Sequence, residues 1–478
     1  MATTEVGSLG WSRERVEMMA GRVCDPGRIE AALAAGAGAE APAARDLLHK
    51  AAAMGGLSAA ETAVLIQVAD RDLRKEIKQA ARQVHAKVFG RRVHLSAPVC
   101  PTNRCVNDCL YCPLRRSNAR LRRHAFTARD IQREIRAPLD EGHTHVALVF
   151  GDDRSGIQYV RDMVWAAYGT RSGIRQIRRL DLNLDALPVQ ELRELKEAPI
   201  GTYHVFQETY HPDAYAALHP DGPKSDYAWR LSAHDRAHEA GLANVGLGVL
   251  LGAYRYAFDV VAVLDHNRHL LETYGHPAAA IAYPRMIAAA EAPASHEASR
   301  QISDADLTFI VAVTRLAAPH QDILLCTPAP REVRQELYGL GVSHVSVGSL
   351  SYPGVYSSDG NPLAAGGLRI GRPRGLEELV YRMCEGGFVP NFCVACYVQK
   401  RRAAVMDHTA PPPEVKDRCS PNALLALKEY LMDFASPETR NVGDRLIQSE
   451  LARLPERVRS MTLDLMEEAE AGLRGQML

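Results

Sequence analysis

Apolar positions recur at helical spacing from about residue 26 to 90, as in SAAETAVLIQVADRDLRKEIKQAARQVHAKVF, and predict a helical N-terminal region over 1–90. Within it Ser58, with Glu61 three residues on, has the form of a helix-starting capping box. Beyond residue 90 the period changes to short β-rich runs alternating with longer amphipathic stretches. HVALVF (145–150) precedes a helix near 157–168, RRLDLNL (178–184) one near 188–197, TYHVFQE (202–208) one near 226–240, and NVGLGVL (244–250) one near 257–273. AIAYPR (280–285), DILLCT (322–327) and HVSVGSL (344–350) continue the series. Repeated βα units predict an α/β fold with a parallel sheet, and this many within 91–355 predict a closed or nearly closed (βα)8 TIM-type barrel. The Gly- and Pro-rich stretch SYPGVYSSDGNPLAAGGLRIGRPRG reads as a long loop over the site. It leads into a C-terminal region, 356–478, that is helical from SPNALLALKEYLMDF to about 473. Disorder is expected only in the first few residues and around Pro411, Pro412 and Pro413.

Composition narrows the function classes. With 478 residues, 46% hydrophobic and 24% charged, the chain can bury one large core or two ordinary ones. Lys plus Arg equals Asp plus Glu at 57 each, so no overall attraction to nucleic acid or membrane is expected. The N-terminus lacks a basic segment followed by an apolar one, and nowhere do about 18 uncharged apolar residues run together. The expected location is therefore the cytoplasm, where cysteines serve as metal or catalytic thiolates more often than as disulfides. Six of the ten cysteines fall into two clusters.

In RCVNDCLYCPLRRSN, Cys105, Cys109 and Cys112 are separated by three and then two residues. Three thiolates can converge from one loop onto a [4Fe-4S] cluster and leave its fourth iron without a cysteine. That open iron can chelate the amino and carboxylate groups of S-adenosylmethionine (SAM), whose sulfonium bond then breaks on reduction to give a 5′-deoxyadenosyl radical. A zinc site asks for a fourth ligand and a ferredoxin-like cluster for a nearby fourth cysteine. Cys100, five residues upstream, is the competing thiol and reads as a buried bystander. Cys393, Cys396 and Cys419 form the second cluster, C-x2-C followed by 22 residues and another Cys. By ligand rules alone this trio fits a zinc knuckle or an electron-transfer [4Fe-4S] cluster equally.

LSAPVCPTNRCVNDCLYCPLRRSN, VFGDD, GTYHVFQETYHPDAYAALHPDGPKSDY, DRAHEAGLANVGLGVLLGAY and NFCVACY together resemble the aromatic-amino-acid lyase branch of radical SAM enzymes, from about residue 45 to 450. Within that branch the spacing of Cys393, Cys396 and Cys419 is similar to the HydG family, which makes the carbon monoxide and cyanide ligands of [FeFe]-hydrogenase. The ThiH family resembles the barrel equally but lacks these three cysteines. The resemblance implies that Tyr111 places its ring against the SAM adenine. It further implies that Gly151, Asp152 and Asp153, in place of a Gly-Glu-Asp motif, receive the SAM amino group, and that Asn183, Gln207 and Glu208 lie near SAM and substrate. It implies a second Fe-S cluster near the C-terminal mouth, able to carry an additional iron, with His266 as that iron's ligand and His269 one turn later. The implied partners are a small amino-acid substrate, tyrosine first, an electron donor such as flavodoxin or ferredoxin, and other metallocofactor-maturation proteins, with neither nucleic acid nor membrane.

Several positions depart from that pattern. The family's Ser-Arg-Thr-Gly is here Ser349, Leu350, Ser351, Tyr352, and its Pro-Arg-Leu-Arg-Pro is Pro284, Arg285, Met286, Ile287, Ala288. Its Gly-Arg-Thr-Gly is Lys400, Arg401, Arg402, Ala403. A bidentate guanidinium–carboxylate pair is strong and selective, and neither Leu350 nor Ile287 can form one. Arg285, Arg401 and Arg402 are the groups available to compensate, and Arg285 and Ser349 are the residues expected at the substrate. Two other readings therefore stay open: a lyase or rearrangement enzyme acting on another amino acid such as tryptophan, and a non-catalytic Fe-S scaffold for metallocofactor assembly.

Overall fold

The structure is a computed structural model that describes residues 10–348, 353–356, 375–398 and 412–478. Five helices come first: α1 (Arg13–Val23), α2 (Pro26–Gly36), α3 (Ala41–Ala52), α4 (Ala59–Ile66) and α5 (Arg71–Val88). The capping box forms as its spacing predicts, Ser58 N donating to Glu61 Oε2 at 2.8 Å and Glu61 N to Ser58 Oγ at 3.3 Å.

β1 (Arg92–Val99) then begins the sheet. Val93, Leu95, Ala97 and Val99 turn outward into the apolar core, while His94 and Ser96 turn toward the barrel centre and bond other strands there. β2 (His145–Val149), β3 (Arg179–Asn183), β4 (Tyr203–His204), β5 (Val245–Gly248), β6 (Ala280–Ala282), β7 (Asp322–Leu325) and β8 (His344–Ser346) follow, each parallel to the next. Leu95 opposite Val345 and Ala97 opposite Val146 join β1 to β8 and to β2, which closes the barrel. Its outer layer includes α6 (Ala128–Asp140), α7 (Gly156–Gly169), α8 (Val189–Lys196), α9 (Pro212–Leu218), α10 (Tyr227–Leu231), α11 (Ala233–Glu239), α12 (Tyr256–Tyr274), α13 (Asp304–Ala317) and α14 (Arg331–Leu340). The expected (βα)8 TIM-type barrel is the observed fold. None of the described helices is long and apolar enough to cross a membrane.

Two differences from the sequence pattern matter. The helix predicted near 226–240 is two, α10 and α11, because the Ser232 hydroxyl donates to Ala228 O at 2.8 Å and accepts from Arg236 at 2.8 Å, drawing the backbone off the helical path. The C-terminal region, α15 (Leu376–Glu385), α16 (Ala395–Val398), α17 (Pro412–Asp433), α18 (Pro437–Leu451) and α19 (Glu456–Glu470), also contributes a ninth strand, β9 (Val389–Asn391). β9 pairs with the first residues of β1, Val93 opposite Pro390. Three residues that include Pro and Asn are too few to show a strand period.

The barrel centre is polar toward its lower end, where TIM barrels ordinarily stack branched apolar side chains. Arg179 donates to both oxygens of Asp181 at 2.9 and 2.7 Å, and His145 Nε2 lies 3.0 Å from the same carboxylate. His344 meets Ser96 Oγ at 2.9 Å and His94 meets Asn391 at 3.0 Å. Burial pushes His94 down to about 3 and His145 to about 4, so these imidazoles are neutral. Burial opposes ionisation of Asp181 too, but the Arg179 guanidinium and His145 hold it well below the usual carboxylate range.

Outside the barrel, Asp259 on α12 accepts from Thr209 Oγ1 at 2.9 Å and from Tyr210 N at 2.8 Å, fixing the segment that follows Gln207 and Glu208. Burial pushes its carboxyl up to about 7 despite those two donors. Because this acid is harder to ionise folded than unfolded (about 3.9), its contribution to stability is whole below that lower value and is lost as pH rises through about 7. Asp259→Asn keeps a neutral acceptor in place. Its stability relative to the parent chain should therefore climb between about pH 4 and about pH 7 in thermal unfolding; a difference independent of pH contradicts this.

Candidate functional site

The loop between β1 and α6 is built to present sulfur. Asn103 spans it, donating to Arg122 O at 2.9 Å and accepting from His124 N at 2.6 Å. Arg123 donates to the carbonyls of Asn103, Leu114 and Arg115 at 2.8, 2.7 and 2.5 Å, satisfying backbone that no helix or strand satisfies. Asp108 accepts from Arg115 Nε at 2.9 Å and Ser117 Oγ at 2.7 Å, closing the turn that carries Cys109 and Cys112. The loop after β2 seats against it: Gly151 N donates to Thr102 O at 2.9 Å and Val106 N to Asp152 O at 2.8 Å. A Cβ on Gly151 would stand 2.3 Å from Arg104 O, so only glycine permits this approach.

Cys105, Cys109 and Cys112 thus share one loop at the C-terminal ends of the strands. Burial, with the neighbouring thiols adding to it, pushes Cys109 up to about 11 and Cys112 to about 12; Cys105 is raised as well, by burial first. Three thiols this reluctant to ionise together become thiolates only when cations neutralise them, which is what iron does. Among the described residues no three His, Cys, Asp or Glu side chains stand close enough for a single metal ion. Three thiols on one loop match the three irons that a [4Fe-4S] cluster binds through separate thiolates, and leave its fourth iron open. Cys100 takes no part: its buried thiol donates to Thr102 O at 3.3 Å and is pushed up to about 12 by burial.

The residues implied for SAM and substrate come together around this loop, with two exceptions. Asp152 accepts from Asn107 Nδ2 at 2.8 Å, and burial beside the Asp185 carboxylate raises it well above the usual range. Asp153 is spent on the loop itself, accepting from Thr102 Oγ1 at 3.0 Å and Ser155 N at 2.9 Å. Tyr111 is held by its hydroxyl, 3.0 Å from His219 Nε2, with Lys224 Nζ 5.6 Å from its ring centroid. Asn183 ends β3 half-buried, its carbonyl accepting from Phe150 N at 3.1 Å. Gln207 is buried with its Nε2 unpartnered. Glu208 adopts a left-handed backbone, φ 69°, and its carboxylate takes Lys224 Nζ at 2.5 Å. The second exception is Arg285, whose guanidinium is committed to Asp304 at 2.6 Å and Pro328 O at 2.9 Å. Ser349, Leu350, Arg401 and Arg402 lie outside the described residues.

Sequence reasoning did not single out Asp185, Arg230, Lys224 or His219. Arg230 pairs with Asp185, and burial opposes but Arg230 holds that carboxyl below its usual range. Lys224 and His219 sit in the stretch HPDGPKSDY, where the signal was a motif rather than a chemistry.

The second thiol group is at the other end. Cys393 follows β9, its N donating to Asn391 Oδ1 at 2.9 Å, and the adjacent Phe392 O accepts from Thr144 Oγ1 at 3.0 Å, just before β2 begins. Cys396 lies on α16 and Cys419 on α17, where Arg92 donates to the neighbouring Ser420 Oγ at 2.9 Å. Burial, with the Cys419 thiol adding to it, pushes Cys393 up to about 11. A solvent-open cavity of about 120 Å³ adjoins Cys393, lined also by His143, Arg178 and Glu429. The site expected near the C-terminal mouth is therefore at the N-terminal ends of the strands, because β9 pairs with the start of β1 rather than its end. His266 does not join it: it is buried on α12, with Nδ1 2.8 Å from Tyr210 Oη and its ring 5.1 Å from that of His234. α12 packs on α2, α4, α11 and α13, around β5, across the barrel from β9.

Residues 99–256 match the radical SAM superfamily model. The chain is 30% identical over 306 residues to 2-iminoacetate synthase of Salmonella typhimurium, covering 63% of this chain and 78% of that one. Its fold is similar to HydG, a maturase of the [FeFe]-hydrogenase, at a TM-score of 0.89 and 34% identity over 95% of this chain and 99% of that one. It is also similar to HydG from Carboxydothermus hydrogenoformans, at 0.80 and 28% over 96% and 100%. The three-thiol loop, the closed barrel and these likenesses agree: the chain belongs to the radical SAM superfamily, in the branch that holds HydG and 2-iminoacetate synthase.

Proposed function

We propose that the chain is a radical SAM carbon–carbon lyase that fragments an amino acid, tyrosine first, and processes the small product at a second iron–sulfur cluster as HydG does. The observation that carries this reading is the pair of thiol groups on one barrel, Cys105, Cys109 and Cys112 above and Cys393, Cys396 and Cys419 below, in a chain matching HydG along 95% of its length. When bound, the upper cluster and SAM supply an electron and a 5′-deoxyadenosyl radical. Asp152 receives the SAM amino group, and Tyr111, braced by His219, packs against adenine. Asn183, Gln207 and Glu208 face the amino acid from the ends of β3 and β4. Hydrogen-atom loss from the substrate amine then breaks Cα–Cβ, which for tyrosine gives dehydroglycine and a hydroxybenzyl radical; one further electron from the reductant and a proton turn that radical into p-cresol. Cys393, Cys396 and Cys419 would hold the second cluster, which would supply the iron for converting dehydroglycine to carbon monoxide and cyanide, and a flavodoxin or ferredoxin would serve as reductant.

A second reading has one specific observation in its favour. Arg285 is tied to Asp304, and Ile287 and Leu350 stand where the family has arginines, so tyrosine's carboxylate loses its usual guanidinium partners. Every free amino acid carries that carboxylate, so this favours a substrate held in another way on the same radical machinery, either a different amino acid such as tryptophan or a related, peptide-like substrate.

Incubation of the reconstituted chain with SAM, dithionite and each aromatic amino acid separates the two. The tyrosine reading predicts 5′-deoxyadenosine and p-cresol in step; SAM cleavage without p-cresol, but with a fragment of another amino acid, favours the second. No 5′-deoxyadenosine with any amino acid, from a chain holding its iron, leaves only a scaffold role. Cys109→Ala should drop 5′-deoxyadenosine to the level of buffer alone.

Gln207→Leu removes the unpartnered buried amide without changing the thiol loop. It should raise the substrate KM by about 10- to 100-fold, as expected for one lost buried hydrogen bond, while upper-cluster iron stays constant. Unchanged kinetics would assign Gln207 a structural role.

A further inference from the structure

The chain as a whole is electrically neutral, 57 basic against 57 acidic residues, but the loop that carries the upper thiols is not. Residues 104–129 hold seven arginines, one aspartate and neither Lys nor Glu. Four of those arginines are occupied: Arg115 pairs with Asp108 at 2.9 Å, Arg116 with Asp221, Arg120 with Glu291 at 2.8 Å, and Arg123 binds the loop's own carbonyls. Arg104, Arg122 and Arg129 are exposed, with no carboxylate within ion-pair distance among the described residues.

Backbone pairing brings two of these three beside a fourth cation from another loop. Thr102 bridges Ala125, Asn103 N donates to His124 O at 3.1 Å, and Asn103 Nδ2 donates to Arg122 O at 2.9 Å, so 102–104 lies along 122–125. The same segment lies against the loop after β2, through Gly151 N to Thr102 O at 2.9 Å and Val106 N to Asp152 O at 2.8 Å. Two residues on, Arg154 is exposed on a left-handed backbone, φ 48°, and it too lacks a carboxylate partner among the described residues. The acids beside it, Asp152 and Asp153, are half-buried and bonded to Asn107, Thr102 and Ser155. Three adjacent segments therefore each expose an unneutralised arginine, and Arg104 is the residue before Cys105.

A small cationic face directly over a redox centre suits a transient electron-transfer encounter, which is assembled by charge complementarity rather than by apolar area. A nucleic acid would need a longer basic track with aromatic platforms, and these three segments contain no Phe, Tyr or Trp. We propose that Arg104, Arg122 and Arg154 form the docking face for an acidic one-electron carrier protein that reduces the cluster held by Cys105, Cys109 and Cys112. The carrier loses one electron and the cluster gains it; no bond is made or broken in the encounter. This rests on the reading that those cysteines hold a reducible cluster, and adds where its reductant binds.

The test compares two reductants on the iron-loaded full chain with SAM: limiting reduced flavodoxin, an acidic protein, and photoreduced 5-deazariboflavin, which is small and uncharged. The rate of 5′-deoxyadenosine formation per flavodoxin should fall steeply with added salt, and about 10-fold or more in the double variant Arg122→Glu/Arg154→Glu. The deazaflavin-driven rate of that variant should match the parent's, and Arg171→Glu, on an exposed arginine outside the loop, should leave both rates unchanged. An equal loss with both reductants, or no loss with flavodoxin, overturns the docking face. So does a variant that keeps its flavodoxin-driven rate but loses binding to single-stranded RNA, which would assign the face to nucleic acid. No 5′-deoxyadenosine from the parent chain with deazaflavin overturns the radical reading itself, and this inference with it.

Discussion

Everything in this molecule hangs on the register of β1. One edge of that strand pairs with β8, and the other is shared between β2 near its end and β9 near its beginning. β9 runs parallel to β1 but stops opposite His94, so the chain leaving β1 delivers Cys105, Cys109 and Cys112 above the barrel, while the chain leaving β9 delivers Cys393 low, beside the start of β2. A slip of one residue in β1 would turn Val93, Leu95, Ala97 and Val99 inward and put His94 and Ser96 under the helices. The energetic contrast between those two faces is what makes the register single-valued, and so places the two thiol groups at opposite ends of one body.

The same alternation gives the barrel its polar centre. Arg179 and Asp181 form a buried pair, and buried pairs are costly to desolvate unless every lone pair and proton finds a partner. Here Thr202 N also donates to Asp181 at 2.9 Å and His145 closes the remaining side. His94, His145 and His344 are neutral by burial, so the centre carries a compensated pair rather than a net charge. The thiol groups obey the opposite rule. They gather acids that are hard to ionise, and are complete only with a cation. Order comes from hydrogen bonds to backbone in the upper loop, where Arg123 and Asn103 hold four carbonyls and an amide that no regular element reaches.

The barrel was legible because each βα unit carries a run of apolar strand and a helix period. The upper thiols were legible because cysteines separated by three and then two residues converge from one loop onto one cluster. What could not be read depends on contacts distant in sequence. β9 has three residues and no period, so nothing in the sequence showed that Cys393 follows a strand paired with the start of β1. His266 shares a helix face with His269, yet nothing in spacing says that α12 covers β5, across the barrel from β9. Asp153 and Arg285 look like free charges in the sequence, and only the fold shows them bonded to Ser155 and to Asp304. The Asp185–Arg230 pair, 45 residues apart, gave no local signal at all.

The central claim is two separate clusters at opposite ends of one barrel. Low-temperature EPR of the fully reduced chain without SAM measures this directly. The account predicts two signals whose sum equals the spectra of the Cys109→Ala and Cys393→Ala variants, broadened only by a weak dipolar interaction. A strongly exchange-coupled spectrum of adjacent clusters, or one signal lost in both variants, would contradict it.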